Sequence, residues 1–115
     1  MDQNQNQNLN LNPNLDRRIE LQGILTTLLG SSHVYFQPPE SVKLVYPCII
    51  YRLSNIDVTR ADNTMYLGKK RYMITIVSRD PDYPLYEEIL KLPYSYFDRF
   101  YTADNLNHWV LELYY

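Results

Sequence analysis

Alternation of side chains in two segments of the C-terminal half is the sequence feature that most limits the possible folds. Successive side chains of a β-strand point to opposite faces, so a repeat of two residues predicts strands at about residues 66–78 and 107–115. One face of these strands carries Tyr72, Ile74, Ile76, Trp109, Leu111, Leu113 and Tyr115, and the other carries Arg71, Met73, Thr75, Val77, His108, Val110, Glu112 and Tyr114. Because both strands present one largely apolar face, they are expected to share a core.

Two further strands are predicted at about residues 46–58 and 95–102, so that the four strands form two hairpins. The sequence TADN joins the second hairpin. The connection in the first hairpin, TRADNTMYLGKKR at residues 59–71, is too long for a tight two-residue turn. It is therefore predicted to extend from the sheet as a finger that is either mobile or held by a partner.

A first helix is predicted from the helical spacing of Leu21, Leu25, Leu28 and Leu29. Pro13 or Asn14 is expected to begin this helix and Gly30 to end it, because proline suits the first turn and glycine suits the position after the last one. Residues 31–45 contain paired prolines and are predicted to form a loop. A second, short helix is predicted within DPDYPLYEEILKLP, with Asp82 as its cap and Pro93 as its end.

The predicted fold class is α+β, with two helices packed on one face of a mainly antiparallel sheet of about four strands in the order α-β-β-α-β-β. Residues 15–115 form a single domain, which fits a chain of 115 residues and 13.8 kDa. Residues 1–14, MDQNQNQNLNLNPN, are rich in asparagine and glutamine and are expected to form an extended arm.

Composition restricts the possible functions. The formal net charge of −2 and the pI of about 5.6 provide no overall basic field for nucleic acid or an anionic membrane. No apolar run is long enough to span a bilayer, and the N-terminus lacks a signal-peptide pattern, so assembly in the cytoplasm is expected. The single cysteine excludes an internal disulfide, and with two histidines it leaves no ligand set for structural zinc.

Catalysis has two candidate sources in the sequence. Cys48 could pair with His33 or His108, but no glycine-rich frame surrounds it, and it sits in YPCIIY as a small buried hydrophobic residue would. The aspartates occur mostly at strand ends and turns, where they usually form turns and caps: Asp57, Asp62, Asp80, Asp82, Asp98 and Asp104. The prediction is therefore a protein that is not an enzyme and has no cofactor and no metal.

A basic run, GKKR at residues 68–71, lies beside two tyrosines and gives the main alternative, a small nucleic-acid-binding α+β module. Charged runs at the ends of hairpins are more often solvated surface. A small hydrolase is a third class, for which the sequence provides no positive indication.

Three segments carry a resemblance to a known family: YPCIIYRLSN, ADNTMYLGKKRYMITIVSRDPD and LPYSYFDRFYTADNLNHWVLELYY. In this order they resemble the tail terminator or tail-to-head joining proteins of long-tailed phages, over roughly residues 46–115. The resemblance implies an α+β protomer that forms a six-membered ring, a homohexamer, at the head-proximal end of the tail. Such a ring ends the tail tube and joins it to the neck, so the implied location is the virion.

The partners implied by the resemblance are other copies of the chain, the tail tube protein and the neck or connector (stopper) protein. Neither a membrane nor a sequence-specific nucleic acid is implied, although the bore of the ring is open to DNA. Ring and tube contacts then explain the charged residues better than chemistry does. The predicted interface residues are Arg60, Asp62, Asn63, Tyr66, Lys69, Lys70, Arg79, Asp80 and Arg99.

The arm lies outside the resemblance. Leu9 and Leu11 are predicted to be its apolar anchors on a neighbouring protein, in the manner of a strand added to an exposed sheet edge.

Overall fold

A computed structural model gives the structure of residues 13–115, without the side chains of residues 13, 14 and 67. The predicted contacts of the arm through Leu9 and Leu11 therefore lie outside the described residues. In chain order the elements are α1 (Pro13–Leu29), β1 (Val34–Phe36), β2 (Cys48–Ala61), β3 (Thr64–Ser78), α2 (Leu85–Ile89), β4 (Ser95–Ala103) and β5 (Leu106–Tyr114).

Within residues 13–115 the strands form one mixed sheet of five strands in the order β1-β2-β3-β5-β4. Strand β1 is parallel to β2, and the other neighbours are antiparallel. The class is α+β, but the predicted sheet of about four strands in the order α-β-β-α-β-β is wrong. The chain has an additional strand between α1 and β2, and this strand makes the sheet mixed.

The additional strand lies in the segment that was predicted to be a loop. It has only three residues, which is too short for a visible alternation, and the paired prolines follow it after a single residue, Gln37. Its place is fixed by tertiary contacts, since Val34 pairs with Ile49 in the register of the sheet. The side chain of Gln22 on α1 holds both strands: its Nε2 donates to the Val34 carbonyl at 3.0 Å, and its Oε1 accepts from the Tyr51 hydroxyl at 2.5 Å.

The main core lies between the two helices and one face of the sheet. The alternating residues of β3 and β5 face Leu21 and Leu25 of α1 and Leu85 and Ile89 of α2. The buried members contributed by the sheet are Val34, Ile49, Tyr51, Tyr72, Ile74, Ile76, Trp109, Leu111 and Leu113. Burial of this apolar surface is the principal term that stabilises the domain.

The opposite face of the sheet has a second, smaller cluster of Cys48, Val77 and Leu106. Partly buried side chains from β1 and the segment before β2 pack against it, including Leu44 and Tyr46. This face is therefore covered near the start of β2 by β1 and by the segment that precedes β2.

The ends of α1 agree with the prediction. The helix begins at Pro13, and Gly30 follows its last residue with a φ of +82°, a conformation that glycine adopts without a Cβ penalty. The predicted cap of α2 is wrong. Pro84 occupies that position without a side-chain hydrogen bond, and the Asp82 N–H instead donates to Asp80 Oδ1 at 2.9 Å in the preceding turn.

The β4–β5 hairpin turns through Asp104 and Asn105, both of which have positive φ values, 55° and 60°. A left-handed conformation is unfavourable for a residue with a Cβ and is least unfavourable for Gly, Asn and Asp. We therefore expect Asn105→Val to lower the free energy of unfolding by about 1–2 kcal/mol, measured by urea denaturation. The matched variant Asn105→Gly keeps the turn and should not be less stable than the parent. Equal stability of the two variants would contradict this account of the turn.

Candidate interaction surface

The hairpin of β2 and β3 extends well beyond the rest of the sheet. Its strands continue to Ala61 and restart at Thr64, so Asp62 and Asn63 alone form the turn, with φ values of 52° and 63°. The predicted long loop at residues 59–71 is therefore wrong. A two-residue turn with both φ values positive matches the right-handed twist of the strands, and this allows the pairing to continue to the tip. We call residues 55–70 the finger.

The finger strands pair only with each other among the described residues. On the side of β2, the pairing with β1 reaches no further than Tyr51. On the side of β3, the pairing with β5 begins at Arg71. Residues 55–66, 68 and 69 are all exposed. Apart from Lys70, whose carbonyl accepts a hydrogen bond from the Tyr115 N–H, the outer edges of the finger strands therefore offer backbone groups that can form hydrogen bonds with another chain.

Two register shifts shape the finger, between Leu53 and Asn55 and between Ile56 and Val58. A Cβ placed on Gly68 would lie 3.3 Å from the Asp57 Cβ, so the strands are in close contact at the second irregularity. Irregularities of this kind bend and twist a hairpin.

The base of the finger is held by polar contacts of Arg71. Its Nε donates to Ser54 Oγ at 3.2 Å, and its Nη1 lies 3.8 Å from Glu112 Oε1. The Ser54 hydroxyl in turn donates to the Arg71 carbonyl at 3.0 Å. A hydrogen bond with Tyr114 raises the pKa of Arg71 above its usual value. These contacts connect the finger to β5 and fix its direction.

Apolar side chains are exposed on the finger. Beyond the second register shift, Val58 and Arg60 pair with residue 67 and Met65, so Ile56, Val58 and Met65 belong to one face of the ribbon. They are 44%, 46% and 51% exposed. Tyr66, on the other face, is also exposed. Apolar groups in this number on a projecting ribbon are typical of a surface that a partner covers.

Six of the predicted interface residues lie on the finger: Arg60, Asp62, Asn63, Tyr66, Lys69 and Lys70. Asp62 and Asn63 form its tip. The Lys69 Nζ lies 5.3 Å from the centre of the Tyr94 ring, and the Lys70 carbonyl accepts a hydrogen bond from the Tyr115 N–H at 2.8 Å. The two lysines therefore belong to the base of the finger and not to its tip.

The other three predicted residues lie elsewhere. Arg79 and Asp80 follow the last residue of β3, at the end of the strand opposite to the finger. The Arg79 guanidinium lies 5.3 Å from the ring centre of Tyr46, and Asp80 forms the turn before α2. Arg99 is on β4 and binds the neighbouring Asp98 carboxylate at 2.6 Å. The structure thus divides the predicted surface into three places.

Strand β4, at the edge of the sheet, is a surface that the sequence analysis missed. The described structure pairs β4 only with β5, and the aromatic rings of β4 are about half exposed on both faces of the strand: Tyr96, Phe97, Phe100 and Tyr101. The segment YSYFDRFY contained a signal for this, because its aromatic residues do not alternate with polar ones. A strand with aromatic residues on both faces needs cover on both faces.

The sheet register places Cys48, Val77 and His108 side by side on three neighbouring strands, and His33 directly precedes β1, but within residues 13–115 Cys48 forms no hydrogen bond with either histidine. Cys48 is fully buried, and burial raises the pKa of its thiol to about 11. His108 stacks on Tyr101 at 4.5 Å between ring centres, and its Nδ1 lies 3.2 Å from the Leu106 carbonyl. Residues 13–115 hold no group of three or more side chains of the His, Cys, Asp or Glu type that could bind a metal ion. Burial of Cys48 fits a packing role better than nucleophilic chemistry.

The Cys48 thiol is expected to react with a disulfide reagent at pH 8 about 100-fold more slowly than a free thiol, because its thiolate fraction is lower by the difference between pKa 9.0 and about 11. The pKa of the Cys48 thiol is higher in the folded state than in the unfolded state. The free energy of unfolding contributed by this group is therefore complete below pH 9 and is lost as the pH rises towards 11. Cys48→Ala should weaken this alkaline loss in denaturation series at pH 8, 9, 10 and 11. Rapid labelling of the folded chain would contradict the assignment.

Comparison with known proteins identifies no relative: no protein-family model matches the chain, and no curated protein matches its sequence. None of the helices within residues 13–115 has the length and apolar character required to span a membrane.

Proposed function

We propose that this chain is a structural virion protein of a long-tailed bacteriophage. It forms a ring, a homohexamer, at the head-proximal end of the tail, where it ends the tail tube and joins it to the neck. Its partners are its own copies, the tail tube protein and the neck or connector protein. In this proposal the protein acts by binding, without catalysis.

The finger is the observation that carries the proposal. A two-stranded ribbon with no third strand and no helix beside it has little stability of its own in water. Here such a ribbon carries exposed apolar side chains at a fixed position, since its base is tied to β5 through Arg71 and Glu112. This combination suits a protein whose ribbon is completed by a neighbour in an assembly.

The sequence resemblance described above supplies the particular assembly. Its three segments correspond to β2, to the finger with β3, and to the β4–β5 hairpin. These are the parts of the chain that carry the exposed surfaces. The two helices, which provide cover for the core, contribute least to the resemblance.

A nucleic-acid-binding module is the second candidate, favoured by one observation. The basic run at residues 68–71 belongs to the finger and its base, close to Tyr66. Binding to labelled DNA that weakens steeply with salt, and that is lost in Lys69→Ala/Lys70→Ala, would support this candidate.

The proposed function predicts a location and a state of assembly. We expect an antibody against the chain to label phage particles at the joint between head and tail in electron micrographs. We also expect native mass spectrometry of the purified chain, with and without the tail tube protein, to show rings of six copies. Label along the whole tail, or on the head shell, would place the protein elsewhere and refute the proposal.

A further inference from the structure

Two exposed apolar surfaces of the protomer lie in different directions. The first is the finger face, defined above by Ile56, Val58 and Met65. The second, which we call the aromatic edge, consists of Phe97 and Phe100 on β4, each 46% exposed. The finger projects along the strand direction, whereas β4 is the lateral edge of the sheet and is separated from β3 by β5.

The aromatic edge is a single surface because of a register shift in β4. Phe97 pairs with Leu111 and Phe100 with Trp109, and the shift between Phe97 and Arg99 puts both phenylalanines on the face that carries the helices. Phe100 packs on Trp109 at 5.2 Å between ring centres, and Phe97 packs on Tyr86 of α2 at 6.3 Å. Tyr86 of α2 and Trp109 of β5 thus cover one side of these rings and leave each ring about half exposed.

The charges around the two surfaces are opposite. The finger together with Arg71 contains four basic and two acidic side chains, and three of the basic ones, at residues 69–71, lie at its base; residues 82–104, which include α2 and β4, contain five acidic and two basic side chains. Complementary charge of this kind increases the rate of encounter and opposes pairing of like surfaces. Contact between two fingers or between two aromatic edges is therefore disfavoured, and contact between a finger and an aromatic edge is favoured.

We propose that the aromatic edge of one copy of the chain binds the finger face of a second copy. The finger face packs on Phe97 and Phe100, and the basic finger approaches the acidic segment of α2 and β4. The partner that covers the aromatic edge is therefore a second copy of the same chain. This inference rests on the proposed assembly of the chain into a ring, and it names the two surfaces that form the contact between subunits.

A contact between two different surfaces has a structural consequence. Each bound copy still offers a free finger at one end and a free edge at the other, so addition continues until the ring closes. A contact between identical surfaces would stop at a dimer. The proposal therefore predicts how two defective variants behave when they are mixed.

The test uses a finger variant and an edge variant. Val58→Lys places a charge on the finger face, and Phe97→Ser removes an aromatic ring from the edge. Phe100→Ser serves as a second edge variant, in case the first does not fold. Circular dichroism and thermal unfolding establish which variants are folded. Thr59→Lys, with the same charge on the opposite face of the finger, is the matched control.

We expect Val58→Lys and the folded edge variant each to weaken self-association about 10-fold or more in sedimentation velocity, while Thr59→Lys assembles as the parent does. An equimolar mixture of the two defective variants should form heterodimers that do not grow, because only one intact finger and one intact edge can meet. An edge variant that still dimerises alone would indicate finger-to-finger contact, and a finger variant that dimerises alone would indicate edge-to-edge contact. Either result overturns the inference.

The two proposals fail in different ways. If the parent forms rings and both variants form the same rings equally well, the proposed contact is overturned and the ring assembly stands. A parent chain that stays monomeric at the highest concentration, both alone and with the tail tube protein, would overturn the ring and the contact together.

Discussion

Replacement of residues 56–70 by the dipeptide Asn-Gly should give a folded protomer that no longer assembles. Asn55 and Arg71 are paired in the hairpin, so a two-residue turn can join them directly. The removed residues whose side chains the structure describes are almost all exposed and belong to neither core cluster, so the midpoint of thermal unfolding should change by less than about 8 °C, equivalent to about 1 kcal/mol in a domain of this size. Self-association should be lost.

Sedimentation velocity and complementation of a phage that lacks the gene measure the two parts of this expectation. The control variant is Asn105→Gly, which alters the turn of the β4–β5 hairpin and leaves a finger of full length. We expect this control to assemble. If the shortened protein joins heads to tails as efficiently as the control, the finger has no role in assembly.

The Ile74→Ala variant should have the largest effect on stability. Ile74 lies at the centre of β3, paired with Tyr51 on one side and Leu111 on the other, and its side chain is fully buried. Removal of three carbon atoms from such a position lowers the free energy of unfolding by about 2–5 kcal/mol. Because domains are stable by only about 5–15 kcal/mol, the variant should unfold at much lower urea concentration than the parent.

The matched control is Ile56→Ala, the same substitution on the same hairpin at a position that is half exposed. We expect a change of about 0.5 kcal/mol or less, as for most surface positions. The pair also separates folding from assembly, because Ile56 belongs to the finger face and Ile74 does not. Similar losses of stability in both variants would mean that the finger is part of the folding core, contrary to the structure.

Local patterns in the sequence predicted much of the fold. The alternation in β3 and β5 identified the strands and the buried faces of Ile74, Ile76, Trp109 and Leu111. Helical spacing and Gly30 located α1 within one residue at either end. These features follow from neighbours along the chain, where a repeat of two or of 3.6 residues is enough to define which side chains share a face.

Other features depended on contacts between distant segments. Strand β1 has three residues and exists because its backbone pairs with β2. The finger was expected as a loop because the connection at residues 59–71 is too long for a tight two-residue turn, yet the turn at Asp62 and Asn63 continues the pairing to the tip. Polar and apolar residues can occupy an exposed ribbon in any order, so periodicity is no guide where neither face is buried.

The candidate surface was likewise predicted in part by the sequence and in part only by the tertiary structure. The sequence by itself determined which charged residues belong to the finger, from Arg60 to Lys70, since these fall between two recognisable strands. Only the tertiary structure placed Arg79 and Asp80 at the far end of β3, put β4 at the edge of the sheet and left Phe97 and Phe100 half covered. The order of strands in a sheet and the extent of helix cover are set by packing between segments far apart in the chain, and no local repeat records them.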